Sequence, residues 1–83
     1  MEKYSTLSAL KWQCRRGMLE LDVFLQKFLQ HGYKDLDEKE REDFYEILEY
    51  PDQELVELLL GQVSATEQHI NEIADKIRRC AAL

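Results

Sequence analysis

The densest chemistry in this sequence lies in Arg15-Arg16-Gly17-Met18-Leu19-Glu20-Leu21-Asp22. Arginine grips a carboxylate or phosphate with paired N–H donors, and exposed arginines are favoured anchors of protein interfaces. Arg16 and Glu20 stand four apart, which on an unbroken helix is a routine ion pair of modest value. Gly17 changes that. A glycine bends the chain, presents both side chains at a corner, and lets another backbone approach. Two readings stay open on the residues alone: a helix–helix corner closed by a local salt bridge, or a docking point for a partner.

Catalysis has no comparable footing. A nucleophile needs a base beside it, and that base needs an orienting group. The available groups are Cys14, Cys80, a few hydroxyls, His31 and His69, and no spacing brings them together. Gly17, Gly32 and Gly61 are isolated helix terminators, so no phosphate-cradling loop or nucleotide fingerprint is present. The histidines offer no close metal-ligand spacing. No catalytic residue, no cofactor site of its own and no metal site is expected. Cys14 and Cys80 are read as reduced thiols packed near helix ends, since small disulfide-framed domains usually carry about four to eight cysteines. Lys11, Arg15 and Arg16 with Tyr4 and Trp12 form a small basic–aromatic patch. A few cations give little affinity for nucleic acid at physiological salt, so no nucleic-acid partner is expected.

Size and charge point the same way. The chain has 83 residues, 17 acidic and 11 basic, with a net charge of −6. It is read as one domain, residues 1–83. A domain this small buries only about 60% of its unfolded surface, which leaves no room for both a deep cleft and a full core. The charge is polarised. Lys3, Lys11, Arg15 and Arg16 face only Glu2 in the first sixteen residues, whereas residues 34–57 are strongly acidic. No apolar run approaches the ~20 residues of a membrane span. The N-terminus lacks the basic-then-apolar order of a signal peptide. A soluble, cytoplasmic protein with no membrane insertion is expected.

The elements that must position the motif read as helices. Leu7, Leu10 and Cys14 make one apolar stripe, so helix 1 should run from about Ser5 to Arg15, capped by Ser5 or Thr6 and ended by Gly17. Arg15 and Arg16 then fall in its last turn, at the negative end of the helix dipole. Trp12 lies off the stripe and is read as widening the buried face rather than as exposed for a partner. Helix 2 should run from near Met18 to His31 on Leu21, Phe24, Leu25 and Phe28, widened by Leu19 and Val23 and closed by Gly32. Asp37 and Glu40 form a capping box for helix 3, with Phe44, Ile47 and Leu48 as its stripe. Pro51 opens helix 4, with Leu55, Leu58 and Leu59 inward and Gly61 at its end. Ser64-Ala65-Thr66-Glu67 is a second capping box, and Ile70, Ile73, Ala74 and Ile77 give helix 5 its core face. Lys76, Arg78 and Arg79 should complement that helix's own dipole. With no strand signal, the expected fold is all-α, a compact bundle of five short helices.

Arg16-Gly17-Met18-Leu19-Glu20 resembles the R-G-x-x-E signature of the succinate dehydrogenase assembly factor, or flavinylation factor, family. Arg15 before it, Leu21-Asp22 after it, and Leu48-x-x-Pro51-Asp52-x-x-Leu55 further on are also similar to the family. The resemblance covers roughly residues 4–80. It implies a five-helix bundle that binds the flavoprotein subunit of succinate dehydrogenase, with fumarate reductase as a further client in related bacterial members, and promotes covalent FAD attachment there. The factor is implied to be a chaperone, not an enzyme, and FAD comes only through the client. Arg16, Gly17 and Glu20 are implied to sit at the flavoprotein interface, flanked by Arg15 and Asp22. One departure is visible: many members carry a tryptophan where this chain has Leu58. The alternative function is an antitoxin-like regulator that neutralises a small membrane toxin affecting cell division.

Overall fold

Leu21, Leu25 and Phe28 recur at helical spacing and are fully buried, which gives their helix one continuous core face. Burying one such side chain is worth about 1.5–3 kcal/mol. The computed structural model describes residues 7–81, with side chains from residue 9. Its helices are α1 (Leu7–Gln13), α2 (Leu19–His31), α3 (Glu38–Ile47), α4 (Asp52–Leu59) and α5 (Gln68–Ala81), with a 3-10 turn at Tyr33–Asp35. Among the described residues there is no strand. The fold is the expected all-α bundle.

α5 lies against α2, α3 and α4, and α2 also meets α4. Ile70, Ile73, Ala74 and Ile77 are buried on α5, as are Leu55, Leu58 and Leu59 on α4. Phe28 and Phe44 meet at 5.0 Å between ring centroids. Tyr33 stacks beside Phe44 at 5.7 Å, and its hydroxyl is 2.5 Å from that of Tyr45. Burying a tyrosine ring while its hydroxyl finds a partner meets both halves of its chemistry. The short 3-10 turn that brings Tyr33 there has no periodicity to announce it.

The Asp37 capping box forms with both arms. The Glu40 backbone N–H donates to Asp37 Oδ1 at 2.8 Å, and the Asp37 N–H donates to Glu40 Oε1 at 3.1 Å. Glu40 then reaches α5 through Lys76 Nζ at 2.6 Å. This contact and the capping bond hold the Glu40 carboxyl below its ordinary range, so its contribution to stability is present at neutral pH and lost on acidification.

Several expectations are corrected. α1 ends at Gln13, not Arg15, and its proposed caps Ser5 and Thr6 lie outside the described residues. Leu19 and Val23 are exposed rather than widening the buried face of α2, and Trp12 is 73% exposed. The Ser64–Glu67 box precedes α5, which begins at Gln68. That segment is instead closed by Asn71, which accepts the Ala65 N–H at 2.8 Å and donates to the Ala65 carbonyl at 2.9 Å. The Asn71 amide sets an acceptor oxygen and a donor nitrogen side by side, so one side chain holds both backbone groups of Ala65.

Gly17 and Gly61 have positive φ, +77° and +78°, while Gly32 does not. Gly32 is needed for space: a Cβ there would stand 2.7 Å from both Cys80 Sγ and the Phe28 ring. Gly32→Ala is therefore expected to destabilise the fold by about 1–3 kcal/mol through overpacking, read from the urea midpoint. An unchanged midpoint would show that Phe28 and Cys80 yield freely.

Candidate functional site

The segment between α1 and α2 has no regular structure of its own, so its side chains and caps decide its course. Arg16 does most of this. Its Nε donates to the Gln13 carbonyl at 2.7 Å, at the open end of α1. One terminal nitrogen donates to Asp52 Oδ1 at 3.0 Å, on the first residue of α4, and the other donates to the Leu48 carbonyl just past α3. The Arg16 backbone N–H donates to Asp22 Oδ1 at 2.8 Å, in the first turn of α2. A helix end leaves its last carbonyls without internal partners, and the guanidinium answers two such ends at once.

The five motif residues thus divide. Arg16 and Asp22 are turned toward the chain and half-buried, whereas Arg15, Gly17 and Glu20 are exposed. Nothing lies within 4 Å of a Cβ built on Gly17, so the corner is open to an approaching backbone. Neither sequence reading fits alone: Arg16 pairs with Asp52 across the fold. The signal that could have found this was Pro51-Asp52, a second acid at a helix start, but nothing in the spacing reveals a contact between residues 16 and 52.

Close to the corner in sequence, Trp12 of α1 and Leu19 and Val23 of α2 are exposed apolar side chains. Lys11, Arg15, Asp22 and Gln26 line a shallow hollow of about 240 Å³. A second hollow, of about 450 Å³, opens among Tyr50, Glu54, Glu57, Val63 and Glu67 and is acidic. The charge polarity of the sequence survives in these two surfaces.

Burial pushes the Cys14 thiol up to about 12, against a smaller lowering by the Arg16 charge. Burial, helped by Asp35, also raises the Cys80 thiol. Both cysteines are free, as expected. His31 is exposed at the end of α2. His69 Nε2 stands 3.1 Å from Glu46 and 3.6 Å from Glu67, a contact that joins α3 to the start of α5. The donor atoms of these three residues lie within 4.8 Å of one another. Sequence spacing missed this grouping because Glu46 comes from a different helix.

What the arrangement offers is a surface: an all-helical module that fixes a charged, glycine-centred corner, with exposed aromatic and aliphatic side chains close to it in sequence. No described helix is long and apolar enough to cross a membrane. The chain belongs to the family described as flavinator of succinate dehydrogenase, whose pattern matches residues 8–81. It is similar to proteins named FAD assembly factor SdhE. With that of Coxiella burnetii it is 37% identical over 73 residues, 88% of this chain and 89% of that protein. With that of Legionella pneumophila (strain Paris) it is 41% identical over 73 residues, 88% and 91% of the two chains. With that of Shewanella oneidensis it is 34% identical over 76 residues, 92% and 93%.

The raised Cys14 thiol makes a clear prediction. A group whose folded pKa lies above its unfolded value of 9.0 favours the folded state while protonated. That contribution is complete below about pH 9 and is lost as the pH climbs toward 12. Iodoacetamide at near-neutral pH should therefore leave Cys14 unmodified in the folded protein and label it only on unfolding. Rapid native labelling, read by mass spectrometry, would contradict the burial of the α1–α2 junction.

Proposed function

We propose that this protein is a succinate dehydrogenase assembly factor that binds the flavoprotein subunit and promotes covalent FAD attachment. Membership of the flavinator family over nearly the whole chain carries this reading. The names of the relatives point to flavinylation rather than to toxin neutralisation. The factor is not the catalyst. It holds no cofactor of its own, and FAD reaches it only through the client. It works in the cytoplasm, and fumarate reductase is a further client.

The physical mechanism is a population shift. Attachment requires one arrangement of the flavoprotein around FAD, and a module that binds this arrangement best raises its population. Such a module needs a rigid, complementary face and no reactive group. Arg15, Gly17 and Glu20 provide the exposed part of that face, with Arg16 and Asp22 shaping it from behind. Trp12, Leu19 and Val23 are exposed apolar side chains close to it in sequence. Aromatic and arginine side chains are the groups that most often dominate interface energetics.

The test is flavin fluorescence of the flavoprotein subunit in a denaturing gel, from a strain lacking the factor and complemented with variants. The wild-type protein should restore the covalent band. Glu20→Arg should lose most of it while melting like wild type, because Glu20 is exposed. Failure of the wild-type protein to restore the band would refute the function. A full band with Glu20→Arg would remove Glu20 from the client face.

A further inference from the structure

Arg16 has little left to offer a partner. All three of its guanidinium nitrogens donate within the chain, to Gln13, Asp52 and Leu48, and its side chain is only 14% exposed. Three of its five N–H groups are thus engaged, and the burial of the side chain leaves little access for a partner's bidentate grip. What Arg16 does instead is fix the path of residues 14–18, which lie in neither α1 nor α2. On that path Gly17 holds φ +77°, and Glu20 follows in the first turn of α2.

We infer that Asp52 is a positioning residue for client docking, acting through Arg16 to hold the Gly17–Glu20 corner in its binding shape. This rests on the reading of that corner as the client face. Asp22 contributes from the other side by accepting the Arg16 backbone N–H at 2.8 Å. Asp52 itself stands at the start of α4, with its side chain 40% exposed, and reaches the corner only through the guanidinium. Among the described residues it is the sole carboxylate that the guanidinium meets; the other two partners are carbonyl oxygens. Without that carboxylate the arginine loses its counter-charge, and the segment it anchors samples more conformations. A partner must then select or order the corner before binding, which weakens apparent affinity without removing any direct contact.

The experiment uses the full chain, three substitutions in α4 and Arg16→Lys. Asp52→Ala removes the carboxylate, and Asp52→Glu restores it one methylene further out. Glu54→Gln removes the other acid of the first turn of α4 and controls for the helix dipole. In ¹H–¹⁵N spectra of the free protein, Asp52→Ala should shift and broaden the Gly17 and Glu20 amides, Asp52→Glu should largely restore them, and Glu54→Gln should leave them in place. Affinity for the purified succinate dehydrogenase flavoprotein subunit, measured by calorimetry, should fall about tenfold with Asp52→Ala and recover with Asp52→Glu. If Asp52→Ala does not fold, Asp52→Asn takes its place.

Wild-type Gly17 and Glu20 resonances in Asp52→Ala would overturn the inference, as would an equal response to Glu54→Gln. Wild-type affinity in Asp52→Ala alongside lost affinity in Arg16→Lys would also overturn it, and would make Arg16 a direct client contact. If even the wild-type protein fails to bind the flavoprotein, the proposed function falls, while the resonances still decide whether Asp52 shapes the corner.

Discussion

The structure depends on how a small bundle satisfies the carbonyls at its helix ends. Arg16 answers the end of α1 through Gln13 and the end of α3 through Leu48, and ties both to the first residue of α4 through Asp52. Its own backbone is held by Asp22 of α2. One residue between two helices thus connects four. In a chain of 83 residues the core alone supplies limited stability, and short helices are marginal without tertiary support. Charged hydrogen bonds to carbonyls that would otherwise lie without partners are worth more than neutral ones. That makes an arginine fork an economical way to fasten several short helices at one point.

α4 shows the same device at its other end. Arg78 of α5 donates to the Leu58 carbonyl at 2.8 Å and to the Leu59 carbonyl at 3.0 Å, where the chain leaves the helix at Gly61. α4 is therefore gripped at its start by an arginine from the α1–α2 junction and at its end by one from α5. The two grips differ in kind. Arg16 meets a carboxylate at a helix start, whereas Arg78 places positive charge where the macrodipole is negative. The sequence assigns Arg78 to the dipole of its own helix, and its proximity to α4 depends on how α5 crosses the bundle.

Much of the bundle was legible because apolar periodicity reports burial directly. The stripes of α2, α3, α4 and α5 lie in the core, except that Phe24 of α2 is only half-buried against it, and the Asp37–Glu40 box forms as its residues suggest. What was not legible depended on competition between partners. Trp12 is apolar, so pattern reading buries it; the short α1 has only Leu10 among its buried described side chains and leaves the indole outside. Ser64 and Glu67 match a capping box, but Asn71 claims the loop by bonding to both the N–H and the carbonyl of Ala65. The motif itself was visible as types and spacing, whereas its internal division was not, because Asp52 lies 36 residues from Arg16.

That division suits an assembly factor in the proposed role. A protein that acts by favouring one conformation of its client gains from a face that is already in shape, since any ordering of its own face on binding subtracts from the affinity difference that shifts the client. A charged side chain placed at a corner can either touch the client or hold the corner still, and Arg16 geometrically does the second while Arg15 and Glu20 remain outside. The glycine between them completes the arrangement. With φ +77° and open space where a side chain would stand, Gly17 makes the turn that separates the inward arginine from the outward glutamate, and it leaves the backbone between them bare for a partner.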